Sequence, residues 1–299
     1  MLLLPGSLPA DRATLKALCE GFDAPANMVA RLSSASIEPF SGSWSDAERE
    51  ALDLSGDLYD GQALATTTHS ASGEMSTYAL ATPFHAALGL TDLTPVDPAL
   101  ISLNVDESRA LCEAADQHLS VDGVRLTFVE ANVWLVTSAA NVSVLTERPD
   151  WLIGEPLRPN LPRGKDARLV ERWMNELQML LFAHPVNSAR EERRLPPINV
   201  VWMWGFGSHS PDNVAAAPKT APPHPNHLHA LRNGIVPAWQ SAWQKLSHEI
   251  LSADAIILGD SRPRLRLTPR EPSALSKVTA LFKRKSTLEE VLATLQLQL

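Results

Sequence analysis

Residues 151–207 read WLIGEPLRPNLPRGKDARLVERWMNELQMLLFAHPVNSAREERRLPPINVVWMWGFG. Leu169, Val170, Trp173, Leu177, Leu180 and Leu181 recur at helical spacing behind Asp166, which predicts a helix from Asp166 to His184. Pro185 ends or kinks that helix, because its ring removes a donor and clashes with the preceding turn. After Pro196 and Pro197 the run from Ile198 to Trp204 is almost wholly apolar. Such a run predicts an interior strand of a mainly parallel sheet, covered on both faces. Gly205 and Gly207 close it, but no phosphate-loop spacing accompanies them, so close backbone approach is the plainer reading.

Outward from this stretch, Leu2 to Leu4 form a short strand halted by Pro5 and Gly6. Leu15, Leu18, Cys19 and Phe22 mark a helix with Gly21 as its stop, and Ser45 with Glu48 has the spacing of a capping box opening a second. Residues 60–98 are rich in Thr, Ser, Ala and Pro and read as an irregular seam. Ala110, Leu111, Ala114, Ala115 and His118 share one helical stripe. Val124, Leu126 and Phe128 alternate, and a short turn at Glu130, Ala131 and Asn132 leads into Val133–Val136, which is a hairpin pattern. Residues 208–229 form a loop rich in Pro, His and Ala. Trp239, Trp243, Leu246 and Ile250 line one face of a helix, residues 254–258 and 264–267 read as strands, and Leu288, Val291, Leu292 and Leu295 give an amphipathic end. The fold class expected is α/β, a mixed or mainly parallel sheet flanked by helices, with a smaller α+β part. The expected divisions are 1–90, 91–207 and 208–299, the last packing on the first.

The bulk numbers exclude several partners. A formal net charge of −8 over 299 residues argues against nucleic acid and anionic membranes, which need a positive footprint. No run approaches the roughly 20 apolar residues of a bilayer span. The opening MLLLPGSLPADR lacks a basic region and carries a proline at position 5, so it does not read as a signal peptide, and a cytoplasmic protein is expected. Cys19 and Cys112 are too few for a disulfide framework and read as buried thiols.

Few residues carry candidate chemistry. His184, Asn187, Arg190 and Asn199 are polar in an otherwise apolar context. They read either as an anion-binding corner, with the Arg190 fork on a carboxylate or phosphate, or as a helix break whose side chains satisfy freed carbonyls. Arg190, Arg193 and Arg194 alternate with Glu191 and Glu192, the pattern of a solvated helix face, with anion binding by one of them as the alternative. His209, His224, His227 and His229 share one loop and are weak metal-ligand candidates, with no cysteine nearby and only Asp212 as a carboxylate. Ser7 and Ser43 lack the base or metal that would make them nucleophiles. Trp173, Trp202 and Trp204 read as core.

Several motifs in order resemble the archaeal-type cofactor-independent phosphoglycerate mutases. They are Leu161, Pro162 and Gly164; His184, Pro185, Asn187 and Arg190; and Asn199, Trp202, Trp204, Gly205 and Gly207. The helix and hairpin from Asp106 to Val136 resemble the preceding part of that family's inserted domain, so the resemblance runs from about Asp97 to Gly207. It implies an alkaline-phosphatase-like lineage, two divalent metals and a Ser or Thr nucleophile. Where the family opens with a strand and a metal-binding Asp-Gly, this chain has Leu4, Pro5, Gly6 and Ser7, and the downstream Asp-His cluster has no counterpart after Gly207. The chain is also shorter than those mutases by about a catalytic domain. The length and layout resemble the RpfE-type regulatory proteins of bacteria, with Asn175, Glu176, Gln178 and Met179 on the helix and Leu281 to Arg284 near the end. Two functions are therefore carried forward. One is a catalytically degenerate module without a cofactor, acting as a regulatory protein or as a binder of a small anionic metabolite or a protein partner. The other is a metal-dependent phosphoester mutase or phosphatase acting on a small phosphorylated acid.

Overall fold

The computed structural model describes residues 1–51, 77–89, 92–208, 234–259, 264–270 and 286–298. Along the chain lie β1 (Leu2–Pro5), α1 (Arg12–Cys19), α2 (Ala26–Ser33), β2 (Ser36–Phe40), α3 (Trp44–Ala51), β3 (Thr77–Phe84), β4 (Ala86–Leu88) and β5 (Leu93–Pro95). Then come α4 (Val105–Leu119), β6 (Val124–Glu130), β7 (Val133–Ser138), α5 (Ala167–Phe182), α6 (Pro185–Glu192) and β8 (Val200–Ser208). The last described elements are α7 (Val236–Lys245), α8 (Ser247–Ser252), β9 (Ile256–Gly259), β10 (Arg264–Thr268) and α9 (Leu288–Gln296). They fall into two compact units, one within residues 1–53 and 220–299, the other within 54–219.

The first unit is a four-stranded mixed sheet in the order β1-β9-β10-β2. β1 and β9 are parallel, and β10 runs antiparallel to both β9 and β2. Leu2 and Leu4 of β1, Ile256 and Leu258 of β9, and Leu265 and Leu267 of β10 form a core with Leu15, Leu18, Met28, Leu32 and Ile250. Trp239 and Trp243 are fully buried in it, their rings edge-on with centroids 5.7 Å apart. The Trp239 indole N–H donates to Gly6 O at 2.9 Å, so its polar tip is satisfied inside the core. Caps set the helix starts: Asp11 accepts from Thr14 N, and Thr287 and Glu290 form a capping box on α9. The cap of α3 is two residues earlier than its sequence suggested. Ser43 Oγ accepts from Asp46 N and Asp46 accepts from Ser43 N, so a Ser43–Asp46 capping box opens the helix at Trp44. Trp44, 2% exposed, lies buried in its first turn.

The second unit is a wholly antiparallel four-stranded sheet, β6-β7-β3-β8, with the small β4-β5 hairpin beside it. This corrects two expectations. Residues 77–84, placed in the irregular seam, are a central strand whose every residue is buried. The apolar run from Val200 belongs to an edge strand among the described residues, paired antiparallel with β3, and not to an interior parallel strand. The run reports burial, and α5 packed against β8 supplies burial to an edge strand as well. Between Tyr78 and Leu80 the β3–β8 register shifts, and Gly205 at φ +69° sits in that bulge. On α4 the buried face is Glu107, Ser108, Leu111, Cys112, Ala115 and Leu119. His118 lies outside that stripe, 3.3 Å from Glu176 on α5. Trp134 on β7 donates to Ser108 Oγ at 2.9 Å, and Ser108 donates to Ala131 O in the hairpin turn. Both cysteines are buried, which pushes their thiols up to about 12.

Ahead of α5, Leu145 and Arg163 bridge two loop segments, and Gly164 follows at φ +117°. A Cβ there would lie 3.2 Å from Ser143 O, and this φ belongs to a region that other residues avoid. Gly123, at φ +73°, has open space around its missing Cβ. Gly164→Ala should therefore cost about 2–3 kcal/mol and Gly123→Ala about 1 kcal/mol. Urea unfolding of the two variants checks the order; equal costs would mean that the close approach to Ser143 is relieved freely.

Candidate functional site

Pro196 and Pro197 have no N–H to give, so the chain entering β8 cannot join a ladder in the usual way. Its carbonyls still need donors. Side chains supply them one by one. Arg190 Nε donates to Pro196 O at 2.9 Å. His85 Nδ1 lies 2.8 Å from Pro197 O, which makes that nitrogen the protonated one in the neutral ring. Asn187 Nδ2 donates to Ile198 O at 2.7 Å and to Leu181 O at 2.8 Å, and its Oδ1 accepts from Ile198 N at 2.7 Å. Asn199 repeats the pattern on β4, accepting from Ala86 N at 2.7 Å and donating to Ala86 O at 2.9 Å.

The four polar residues singled out from the sequence thus lie around one feature, the path from α5 through α6 into β8. Pro185 starts α6 at a position where its missing N–H is no loss. His184 caps it, Nδ1 accepting from Val186 N at 3.2 Å. Burial lowers the His184 pKa by penalising the imidazolium, and a protonated Nδ1 could not serve as the cap's acceptor. Asn187 is 3% exposed and Arg190 is 0% exposed.

Arg190 is the electrostatic centre. Its Nη1 donates to Glu107 Oε2 at 2.6 Å and its Nη2 to Ile101 O at 2.6 Å. Arg193 donates to the other oxygen of the same carboxylate. Glu107 also closes the capping box of α4 with Asn104. Burial alone would raise the Glu107 carboxyl; the Arg193 guanidinium, the Asn104 cap and Arg190 outweigh it and hold it below the usual carboxylate range. All three nitrogens of Arg190 are therefore turned to acceptors within the protein. The helical face expected to be solvated carries Arg190 inward, a correction whose cause is the buried carboxylate opposite. Glu107 itself was legible only as the fourth residue of the Asn104 capping spacing; its pairing spans 83 residues of chain and leaves no local signal.

Among the described residues, Pro5 to Ser7 at the carboxyl end of β1 offer no carboxylate or imidazole to a divalent cation. Pro5 offers no ligand, and Ser7 Oγ donates to Leu4 O at 2.5 Å. Among the described residues no three His, Cys, Asp or Glu come together in a way that could hold a metal ion. Ser43 is occupied as a helix cap. Arg264, 5% exposed, donates to Gly42 O at 2.8 Å and lies 4.9 Å from the Trp44 ring centroid. His209, His224, His227 and His229 lie outside the described residues. Trp173, Trp202 and Trp204 are buried in the second core. Trp202 donates to Glu147 O and Trp204 to Thr82 Oγ1. No described helix is long and apolar enough to cross a membrane.

Two outcomes follow from this geometry. Asn187→Ala removes three buried hydrogen bonds and leaves their backbone partners unpaired, so it should cost on the order of 3 kcal/mol in urea unfolding. Loss below about 1 kcal/mol would mean that water replaces the side chain. The lowered His184 pKa gives a signed pH effect. The unfolded chain takes up a proton as pH drops through about 6.5 while the folded chain resists it, so this contribution is complete above that pH and declines below it. His184→Asn keeps a capping acceptor. Its unfolding free energy between pH 7.5 and 5.5 should fall less steeply than that of the wild type; parallel curves would remove His184 from the account.

No family model matches the chain. Part of it is similar to curated mutases. It is 31% identical over 107 residues to the 2,3-bisphosphoglycerate-independent phosphoglycerate mutase of Methanosarcina mazei, covering 35% of this chain and 27% of that protein. For the enzyme of the same name from Methanothrix thermoacetophila the identity is 31% over 90 residues, covering 30% and 20%. A probable mutase of Geobacter sulfurreducens gives 34% over 59 residues, covering 20% and 15%. Among solved structures, the cofactor-independent phosphoglycerate mutase of Thermoplasma acidophilum aligns at 12% identity and a TM-score of 0.40, covering 92% of this chain and 88% of that one. The PH0037 protein of Pyrococcus horikoshii aligns at 11% and 0.38, covering 90% and 86%. By sequence, the match to the Methanosarcina enzyme spans about a quarter of that protein's length, and over that stretch the chain is a distant homologue of the archaeal-type cofactor-independent phosphoglycerate mutases.

Proposed function

We infer that this chain is a phosphoglycerate-mutase-like module that works by binding, as a regulatory or partner-binding protein of the RpfE type, and not by turnover. The observation that carries this reading is the fate of the polar residues in the homologous stretch. His184, Asn187, Arg190 and Asn199 each bond to the protein's own backbone or to Glu107. They are proposed as the brace of a scaffold. A small anion would have to displace a buried carboxylate to reach Arg190, at the cost of leaving that carboxylate unpaired. The end of β1 adds support, since Pro5 and Ser7 stand where the resemblance calls for a metal-binding Asp. The acidic balance, −8, favours a partner that is neither nucleic acid nor an anionic membrane.

The test uses full-length protein purified without a His tag. Metal content is measured, and mutase and phosphatase assays are run on 3-phosphoglycerate with added divalent cations. The expected result is no turnover above buffer. Two stoichiometric metals together with turnover would establish the phosphoester enzyme instead, with the loop histidines His209, His224, His227 and His229 as the first ligands to examine. Calorimetric titration of 3-phosphoglycerate into the same sample separates a degenerate enzyme that still binds the metabolite from a module whose partner is a protein.

A further inference from the structure

Among the described residues two non-glycine residues have a left-handed backbone, Ser102 at φ +51° and Arg194 at φ +59°. Both flank the same cluster. Ser102 follows Ile101, whose carbonyl accepts from Arg190, and Arg194 follows Arg193, whose guanidinium clasps Glu107. The cost of such a conformation is borne only where surrounding contacts impose it. Ser102 adjoins that cluster through the Ile101 carbonyl, whereas Arg194 is the left-handed residue of the turn that ends α6, with Arg194 N bonded to Glu191 O and Leu195 N to Arg190 O.

Beyond that cluster the segment is held mainly through side chains. From α6 to Asn199 it contributes no ladder pairs; it is retained by the bond from Asn199 N to Phe84 O and by side-chain bonds from Arg190, Asn187, His85 and Asn199. The neighbouring strands β6, β7 and β3 are tied by continuous ladders. Arg193 is half-exposed, its side chain 50% accessible, so solvent ions reach one side of the cluster.

We propose that Glu107, Arg190 and Arg193 form an electrostatic latch, whose release lets residues 185–199 open as a unit while the β6-β7-β3 sheet stays folded. Opening frees the Ile101 carbonyl beside Ser102 and brings water to the two buried charges, Glu107 and Arg190. The latched state is the braced one described above; the open state frees the lead-in to β8 and uncovers the Arg190 guanidinium. This device is independent of whether the module is regulatory or catalytic.

Amide hydrogen exchange on the full chain, read by peptide mass spectrometry, tests it. Glu107→Gln keeps an oxygen for the Asn104 cap but removes the charge. It should speed exchange in peptides covering 185–199 by roughly tenfold or more, the factor that 1.4 kcal/mol gives, with peptides covering 124–138 unchanged. Arg193→Ala is milder, since Arg193 is half-exposed, and should act in the same direction to a smaller degree. It decides the matter if Glu107→Gln fails to fold. Wild-type exchange in 185–199 should also quicken when sodium chloride is raised from 0.05 to 0.5 M, as screening reaches the exposed side. Equal acceleration across 124–138 and 185–199 would show global destabilisation and overturn the latch. Unchanged exchange in 185–199 for Arg193→Ala would overturn it as well.

Discussion

A buried guanidinium cannot be left uncompensated, and in this protein the compensation of Arg190 organises much of the second unit. Its three nitrogens fix three separate pieces of chain: the capped start of α4 through Glu107, the turn before it through Ile101, and the entry to β8 through Pro196. Removing a partner from such a cluster leaves a desolvated charge, which is far more damaging than losing a surface pair. The double proline explains why so elaborate a fastening exists. With two donors missing from the backbone, positions 196–198 are aligned by side chains, and the bond from Asn199 N to Phe84 O leads into the pairing of β8 with β3.

The resemblance to the mutases and the physics of the site bear on different questions. The motifs that carry the resemblance include the very residues that fasten α6 and β8, so the likeness at those positions concerns how this part is built. Chemistry in an α/β protein sits at strand ends and in loops, where side chains are free to face a ligand. Among the described residues, the end of β1 and the turn after it carry Pro5, Gly6 and Ser7, whose hydroxyl donates to Leu4 O.

Much of this was legible beforehand, and the failures have physical causes. The α5 stripe, the β6–β7 hairpin and the Trp239–Trp243 helix follow from period and turn chemistry alone. β3 did not announce itself, because Ala79, Ala81, Thr82 and Pro83 have little strand character of their own; they are strand because β7 and β8 flank them. The direction of β8 was misread because burial on both faces looks the same whether its neighbour is parallel or antiparallel. The polar corner at His184, Asn187, Arg190 and Asn199 lies along the path from α5 into β8. Sequence could not say whether its donors face inward, since that depends on Glu107, far away in the chain, and on carbonyls freed by Pro196 and Pro197.

The pairing of β1 with β9 sets an order of events during synthesis. Leu2 lies beside Ile256, so β1 has no parallel neighbour until the chain as far as β9 has been made. The second unit, by contrast, draws only on residues between 54 and 219. It can close while the amino-terminal strand is still waiting, and its apolar surface is then already buried when the last strands arrive. For the interval between, Leu2, Leu3 and Leu4, buried once the unit is complete, lack the strand they pair with.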